Sequence, residues 1–196
     1  MKKKLASGSR RDALVEAAFY IIAKEGFEGL RLREVASKAG IDHSTLHHHF
    51  HSKRDLIAAV LEYATKQFRP TLPANDASPS SLHEHLTFLS RMIVDRPEVH
   101  VVLREFDLHA TRDARVRAII TEREAGWRER VAARIRIAAT TGLWPPQIDP
   151  TTGAKLVIAV IKGASFNPKR AAELVQSFEQ LLVQTSTRKT SQKERS

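Results

Sequence analysis

The sequence contains no cysteine in its 196 residues, which excludes disulfides, thiolate metal sites and a cysteine nucleophile. Aromatic residues make up only 6%, and glycine and proline number eight each, so neither a collagen-like nor a low-complexity chain is in view. Long hydrophobic runs are also missing. The run Leu156-Val157-Ile158-Ala159-Val160-Ile161, like every other apolar run in the chain, is far below the roughly 20 residues that span a bilayer. Met1-Lys2-Lys3-Lys4 looks like the start of a secretion signal, but no apolar stretch follows it, and a cytoplasmic protein with no membrane partner is expected. Proline is absent from the first 69 residues and falls at positions 70, 73, 79, 97, 145, 146, 150 and 168.

That asymmetry divides the chain. Residues 70–79 read as a loop between an N-terminal head and a longer second part. Residues 186–196, with little but Ser, Thr, Gln and charge, read as a disordered basic tail. A hydrophobic fraction of 42% with 28% charged residues is ordinary for a globular protein. The net charge of +10 points to a polyanionic partner. It is uneven: residues 1–55 carry 11 basic and 7 acidic side chains, and residues 186–196 carry 4 and 1.

Apolar residues recur at helical spacing nearly throughout. Leu14, Ala18, Ile21 and Ile22 line one helix, stopped by Gly26, and Leu56, Ile57, Val60, Leu61, Ala64 and Phe68 line another. Leu82, Leu86, Leu89 and Ile93 repeat by four, three and four, and Val99, Val102, Leu103 and Phe106 follow Pro97. Val116, Ile119, Ile120, Trp127, Val131, Ile135 and Ala138 mark a long helix, and Ala171, Leu174, Val175, Phe178, Leu181 and Leu182 mark the last. Asp149-Pro150 and Asn167-Pro168 read as capping residues before a proline at the first helical position. Strand alternation and hairpin dipeptides are absent, so the fold class is all-α with about nine helices and no sheet. The expected division is a helix-turn-helix head over 1–55, a connecting helix over 56–69, a helical ligand-binding and dimerisation body over 70–185, and the tail.

The most informative stretch lies in the head. Leu32, Val35, Ala36 and Ala39 give a short helix, Gly40 permits a sharp turn, and Ile41 plugs the corner. Asp42 then caps a second short helix with Leu46 and Phe50 on its buried side. Two short helices around a glycine turn form a helix-turn-helix, whose second helix enters the DNA major groove. From spacing alone, an ordinary helical hairpin remains the alternative.

Arg11 to Ala59, with Val35-Ala36-Ser37-Lys38-Ala39-Gly40-Ile41 and the continuation through Thr45-Leu46, Phe50, Ser52-Lys53 and Leu56, resembles the DNA-binding domain of TetR-family transcriptional regulators. The resemblance covers about a quarter of the chain. It implies a homodimer of nine-helix subunits: three helices in the head, a fourth leading to the body, and a body that often binds a small molecule. It also implies that His43 and Ser44 face base edges with His48 beside them, and that Thr45, His47, His49 and Lys53 hold phosphates. Arg33 on the preceding helix is a second candidate for base readout, since Arg pairs bidentately with guanine. Lys2, Lys3, Lys4 and Arg10 form a candidate basic arm. The sequence departs from the family at Arg31, where a Ser or Thr cap is common, and at His47, where Tyr is usual.

His43, His47, His48, His49 and His51 put five imidazoles into nine residues. His43 with His47, and His47 with His51, sit at i,i+4 and can in principle grip Zn²⁺ or Ni²⁺. With no HExxH motif and no cysteine, the preferred reading is a set of DNA-facing donors, with neither metal nor cofactor. In the body, the apolar run 156–161 needs cover on every side, and pairing with a second subunit supplies it, with Gly163 and Ala164 permitting close approach. A purely intramolecular core is the alternative. Phe88, Met92, Leu103, Phe106 and Trp127 are candidates to line an effector cavity, with His100 or His109 as polar anchors; the plainer reading makes each of them core or surface. No catalytic constellation is visible. The expected function is a ligand-released, dimeric repressor on a palindromic operator. The alternative is a DNA-binding protein of the same fold with no small-molecule effector, controlled by a protein partner or acting architecturally.

Overall fold

Each stretch whose apolar residues recur by three and four is helical in the computed structural model, which describes residues 9–68 and 81–193. In chain order the helices are α1 (Arg10–Glu25), α2 (Leu32–Ala39), α3 (His43–His49), α4 (Lys53–Lys66), α5 (Ser81–Asp95), α6 (Pro97–Ala110), α7 (Ala114–Thr140), α8 (Pro150–Ala164) and α9 (Ala171–Lys193). Single 3₁₀ turns occupy Phe27–Gly29 and Pro168–Arg170. Among the described residues there is no strand, and no helix is long and apolar enough to cross a membrane.

The chain forms two compact units. Unit 1 joins the segment ending at Gln67 to Glu98–Ile120, and unit 2 joins Phe68–Pro97 to the segment from Thr121 onward. In unit 1, α1 opens with a capping box: the Ser9 hydroxyl accepts from the Asp12 N–H, while the Asp12 carboxylate accepts from the Ser9 N–H. Its buried face, Leu14, Ala18, Ile21 and Ile22, packs with α2 and α4. Helix α2 ends where Gly40 takes the left-handed conformation at φ +66°. There the Ile41 N–H donates to the Ala36 carbonyl at 2.9 Å and the Gly40 N–H to Ser37 at 3.1 Å, the paired closure of a Schellman motif. The turn buries Val35, Leu46 and Phe50 together in the unit's interior. The Arg11 guanidinium lies over the Phe50 ring, 5.1 Å from its centroid. On α6, Phe106 meets the edge of Phe27 at 5.0 Å, and the His109 ring stacks on Phe27 at 4.4 Å.

Unit 2 builds a second core from Leu82, Leu86, Leu89 and Ile93 of α5, Val131 and Ile135 of α7, Val157 and Ile161 of α8, and Val175 of α9. Asp149 caps α8 by accepting the N–H groups of Thr151 and Thr152, with Pro150 at the first helical position. Trp144 is buried, and its indole N–H donates to the Ile148 carbonyl at 2.8 Å. Gly153 lets that indole approach the α8 backbone, because a Cβ there would sit 2.3 Å from the Trp144 ring. His83 and Glu179 pair at 2.8 Å between α5 and α9, and Lys162 and Glu124 at 3.2 Å between α8 and α7.

Several expectations need correction. The connecting helix begins at Lys53, since the Ser52 hydroxyl accepts from the Asp55 N–H and so sets the helix start before residue 56. Glu98–Ile120 group with the head rather than with the body, because Phe106 and His109 pack on Phe27. Asn167 makes no side-chain cap, and Pro168 opens a 3₁₀ turn before α9. Residues 186–193 continue α9 instead of forming a structureless tail; no Gly or Pro interrupts the chain there. Ala164 is buried in its own unit, not available to a neighbour. The loop expected over 70–79 and the basic arm Lys2-Lys3-Lys4 lie outside the described residues.

Gly40 has open space where a Cβ would stand, so substitution there tests backbone conformation alone. Gly40→Ala should lower the unfolding free energy by about 1 kcal/mol, and Gly40→Asn by less; urea titrations of the three proteins measure both.

Candidate nucleic-acid interface

Helix α3 is only seven residues long, too short to hold itself together. Leu46, fully buried, and Phe50 just beyond the helix anchor one side. Asp42 anchors its start, its carboxylate accepting the Ser44 N–H at 2.8 Å and the Ser44 hydroxyl at 3.0 Å. Those two bonds hold the Asp42 carboxyl below the usual aspartate range, with lesser help from His43. The opposite side of α3 faces outward: Ser44, His47, His48 and His49 are exposed, while His43 and Thr45 are half-buried. The His43 and His47 rings meet edge to face at 4.7 Å, as their four-residue spacing dictates.

His47, His48 and His49 all lie in the last turn of α3, where positive charge is favoured by the helix dipole. Arg33 on α2 and Lys53 at the start of α4 are exposed as well, as is His51 between the two helices. Arg31 precedes α2 without a side-chain cap bond, so its cationic head is left exposed. The carboxylates of Glu34, Asp42 and Asp55 share this part of unit 1, and Asp42 is committed to its cap. Among the described residues, no group of three or more histidines and carboxylates is arranged to hold a metal ion.

The residues expected to line an effector cavity divide between the units. His100, Leu103, Phe106 and His109 belong to unit 1. Phe106 is fully packed in its core, and His109 borders an open depression of about 360 Å³ with Glu25, Phe27, Glu28, Glu105, Leu108 and Arg112. Phe88 and Trp127 sit against the core of unit 2 while remaining partly exposed, and Met92 is half-buried on α5.

Two buried histidines stand out by their electrostatics. Burial pushes His100 down to about 4, with Arg104 adding to the effect and Glu98 opposing it. His85 is also pushed down to about 4, first by burial and then by the charges of Arg134 and Arg130. Sequence reasoning passed over His85, although it lies three residues after Leu82 and four before Leu89, on the buried stripe of α5. Its two ring nitrogens are buried with no hydrogen-bond partner.

Comparisons with known proteins agree with this geometry. Residues 14–60, from α1 into α4, match the family described as bacterial regulatory proteins, tetR family. The transcriptional repressor NicS of Pseudomonas putida is 30% identical over 109 residues, covering 54% of this chain and 51% of NicS; the match thus spans about half the length of that curated relative. A crystal structure of a TetR-family transcriptional regulator from Rhodococcus sp. is 26% identical, with a TM-score of 0.73 over 88% of this chain and 98% of that one. A transcriptional regulator from Saccharomonospora viridis, solved in complex with choline, shares the fold at 21% identity, with a TM-score of 0.70 over 86% and 94% of the two chains.

The buried histidines set the acid limit of the fold. The unfolded chain takes up protons near pH 6.5 that folded His85 and His100 refuse until about pH 4. Their contribution to stability is complete above pH 6.5 and is lost progressively as the pH falls from there toward 4. Chemical denaturation across this window should show that decline, and His85→Gln should make it shallower; an equally steep profile for the variant would contradict the burial assigned to His85.

Proposed function

Because residues 14–60 match the tetR family of bacterial regulatory proteins, we propose that the chain is a repressor of that family: it binds a palindromic operator as a homodimer and leaves it when a small molecule binds the C-terminal part of the chain. The observation that carries this reading is α3 itself, a short helix clamped at Asp42, Leu46 and Phe50 with a row of hydrogen-bonding side chains turned outward. A helix presented in this way suits the major groove.

In this reading His43, Ser44 and His48 meet base edges, and Arg33 adds a second point of readout. Thr45, His47, His49 and Lys53 hold phosphates and so fix the register of the helix on the duplex. The uncapped Arg31 is placed to add a further phosphate contact. The work is done in the cytoplasm, where the DNA is. The relatives described above are regulators of transcription, and the activity is binding rather than catalysis.

The dimer is supported by the outer side of unit 2. Leu156, Ala159 and Gly163 form an exposed line along α8, and a Cβ at Gly163 would meet nothing. Leu174 and Leu181 extend apolar exposure onto α9, which packs beside α8. Paired about a two-fold axis, these helices present two heads to one duplex, so the operator is an inverted repeat. Release by an effector requires that it bind the DNA-incompetent shape more tightly than the competent one. The choline complex of the S. viridis regulator shows that protein to hold a small molecule, which supports the same capacity here.

Selection of bound DNA from a random pool should enrich an inverted repeat; enrichment of a site without two-fold symmetry would overturn the dimeric reading. On that operator, Arg33→Ala should cost about 1–3 kcal/mol and relax specificity at one position per half-site, and unchanged affinity would remove Arg33 from base readout. Imidazolium is favoured beside phosphate. Operator affinity measured by fluorescence anisotropy at constant ionic strength should therefore rise as the pH falls from about 8 to about 6, whereas a flat profile would exclude the histidines from the contact.

A further inference from the structure

The side chains of α3 are sorted by their position around the helix axis. At about 100° per residue, Ser44 and His48 each stand about 160° from Leu46, the buried side chain that seats the helix. They are one turn apart and lie on the side opposite the packing, and both are exposed. His47 and His49 stand only about 100° and 60° from Leu46, on the two flanks. His43 keeps its ring against His47, edge to face at 4.7 Å. When a helix seated in this way enters a groove, residues opposite the seat face the floor, where the base edges are, and flanking residues face the phosphate walls. Among the histidines of α3, His48 is therefore the one directed at the floor.

An imidazole at that place reads bases differently in its two charge states. The neutral ring carries one donor and one acceptor, whereas imidazolium carries two donors and no acceptor. In the major groove guanine shows the acceptors O6 and N7, and cytosine shows only its N4 amino donor. A neutral ring can satisfy either base. Imidazolium bonds guanine more strongly, through a charge-assisted bond, and meets cytosine donor to donor. Histidine changes between these states near neutral pH. The elements packed against α3 are α1 and α2. They bring Arg33, Glu34 and Lys38 on exposed positions of α2, and Arg10, Arg11 and Asp12 at the start of α1. Arg11 lies over Phe50 and Asp12 is engaged by Ser9. On α3 itself the neighbours are His47 and His49, and the Asp42 carboxylate is held by Ser44. The phosphates of a bound duplex and the last-turn position of His48 both favour the charged ring.

We propose that His48 is a specificity-determining residue whose base preference follows its charge: as imidazolium it requires guanine at the position it reads, and as neutral imidazole it accepts cytosine there as well. This rests on the reading of α3 as the helix that enters the groove, and it gives one position of the operator its chemical identity. Acidification then does two separable things. At His47 and His49, on the phosphate walls, it tightens binding to every sequence alike. At His48 it narrows the set of sequences that are bound.

The test selects bound DNA from a random pool with the full chain at about pH 6 and about pH 8, at one ionic strength. One position in each half-site should hold guanine at the lower pH and admit cytosine at the higher. For two operators that differ only by guanine or cytosine there, the ratio of affinities should rise by about tenfold between the higher and the lower pH. His48→Lys, a donor at both pH values, should select guanine at both. His48→Gln, a neutral donor and acceptor at both, should admit either base and hold the ratio constant. His48 is exposed, so neither substitution disturbs the core. The same base preference at both pH values, or a pH-dependent ratio that survives His48→Gln, would overturn the assignment. So would a gain in affinity on acidification that is equal for both operators, since it belongs to phosphate contacts alone. Failure of the underlying reading looks different: no inverted repeat is then enriched at either pH. An inverted repeat with no pH-dependent position overturns the role of His48 and leaves that reading standing.

Discussion

The orientation of α3 depends on one backbone conformation. Gly40 turns the chain at φ +66°, and the carbonyls that α2 leaves open are closed by the N–H groups of Gly40 and Ile41. A residue with a side chain pays for that conformation, and a right-handed continuation would carry α2 onward and leave α3 with no axis of its own. With the turn in place, Leu46 and Phe50 drop into the interior beside Val35, and the polar residues of α3 have only one direction left to face. The Asp42 cap then decides where α3 begins. The orientation of such a short helix is therefore settled by a turn and a cap outside it, not by its seven residues alone.

Much of this could be read from the sequence because the head is governed by local chemistry. Glycine at a turn, aspartate at a helix start and apolar residues at spacings of three and four each have few alternatives over so short a range, and all agree at positions 32–50. The unit boundaries were less legible. Helix α6 groups with the head through the contacts of Phe106 and His109 with Phe27, about 80 residues earlier in the chain, and no periodicity records a pairing over that distance. The end of α9 is illegible in the sequence for a different reason. Ser, Thr and Gln at 184–192 resemble a solvated tail by composition, yet none of them forbids helix as Gly or Pro would.

The candidate effector residues show the same limit from another side. Phe106 was expected at a cavity wall, but burial makes it core; aromatic identity and helical spacing do not separate the two roles. His85 was legible in position, on the stripe of Leu82, Leu86 and Leu89, but its chemistry was not. What distinguishes it is the absence of any partner for its nitrogens and the proximity of Arg134 and Arg130, both of which arise when α5 and α7 are brought into one unit. A polar residue on an apolar stripe is the only trace of this that a sequence can carry.

The Asp42 cap has a further consequence for Ser44. The serine hydroxyl donates its single proton to the Asp42 carboxylate at 3.0 Å, so all that Ser44 turns outward is lone pairs. In this state the serine has lost its usual ambivalence and behaves as an acceptor. An edge that approaches it with the N7 or O6 of a purine meets repulsion, whereas one that brings an amino group, the N6 of adenine or the N4 of cytosine, finds a hydrogen bond. In the proposed contact with DNA, a helix cap thus turns an indiscriminate hydroxyl into a selective one.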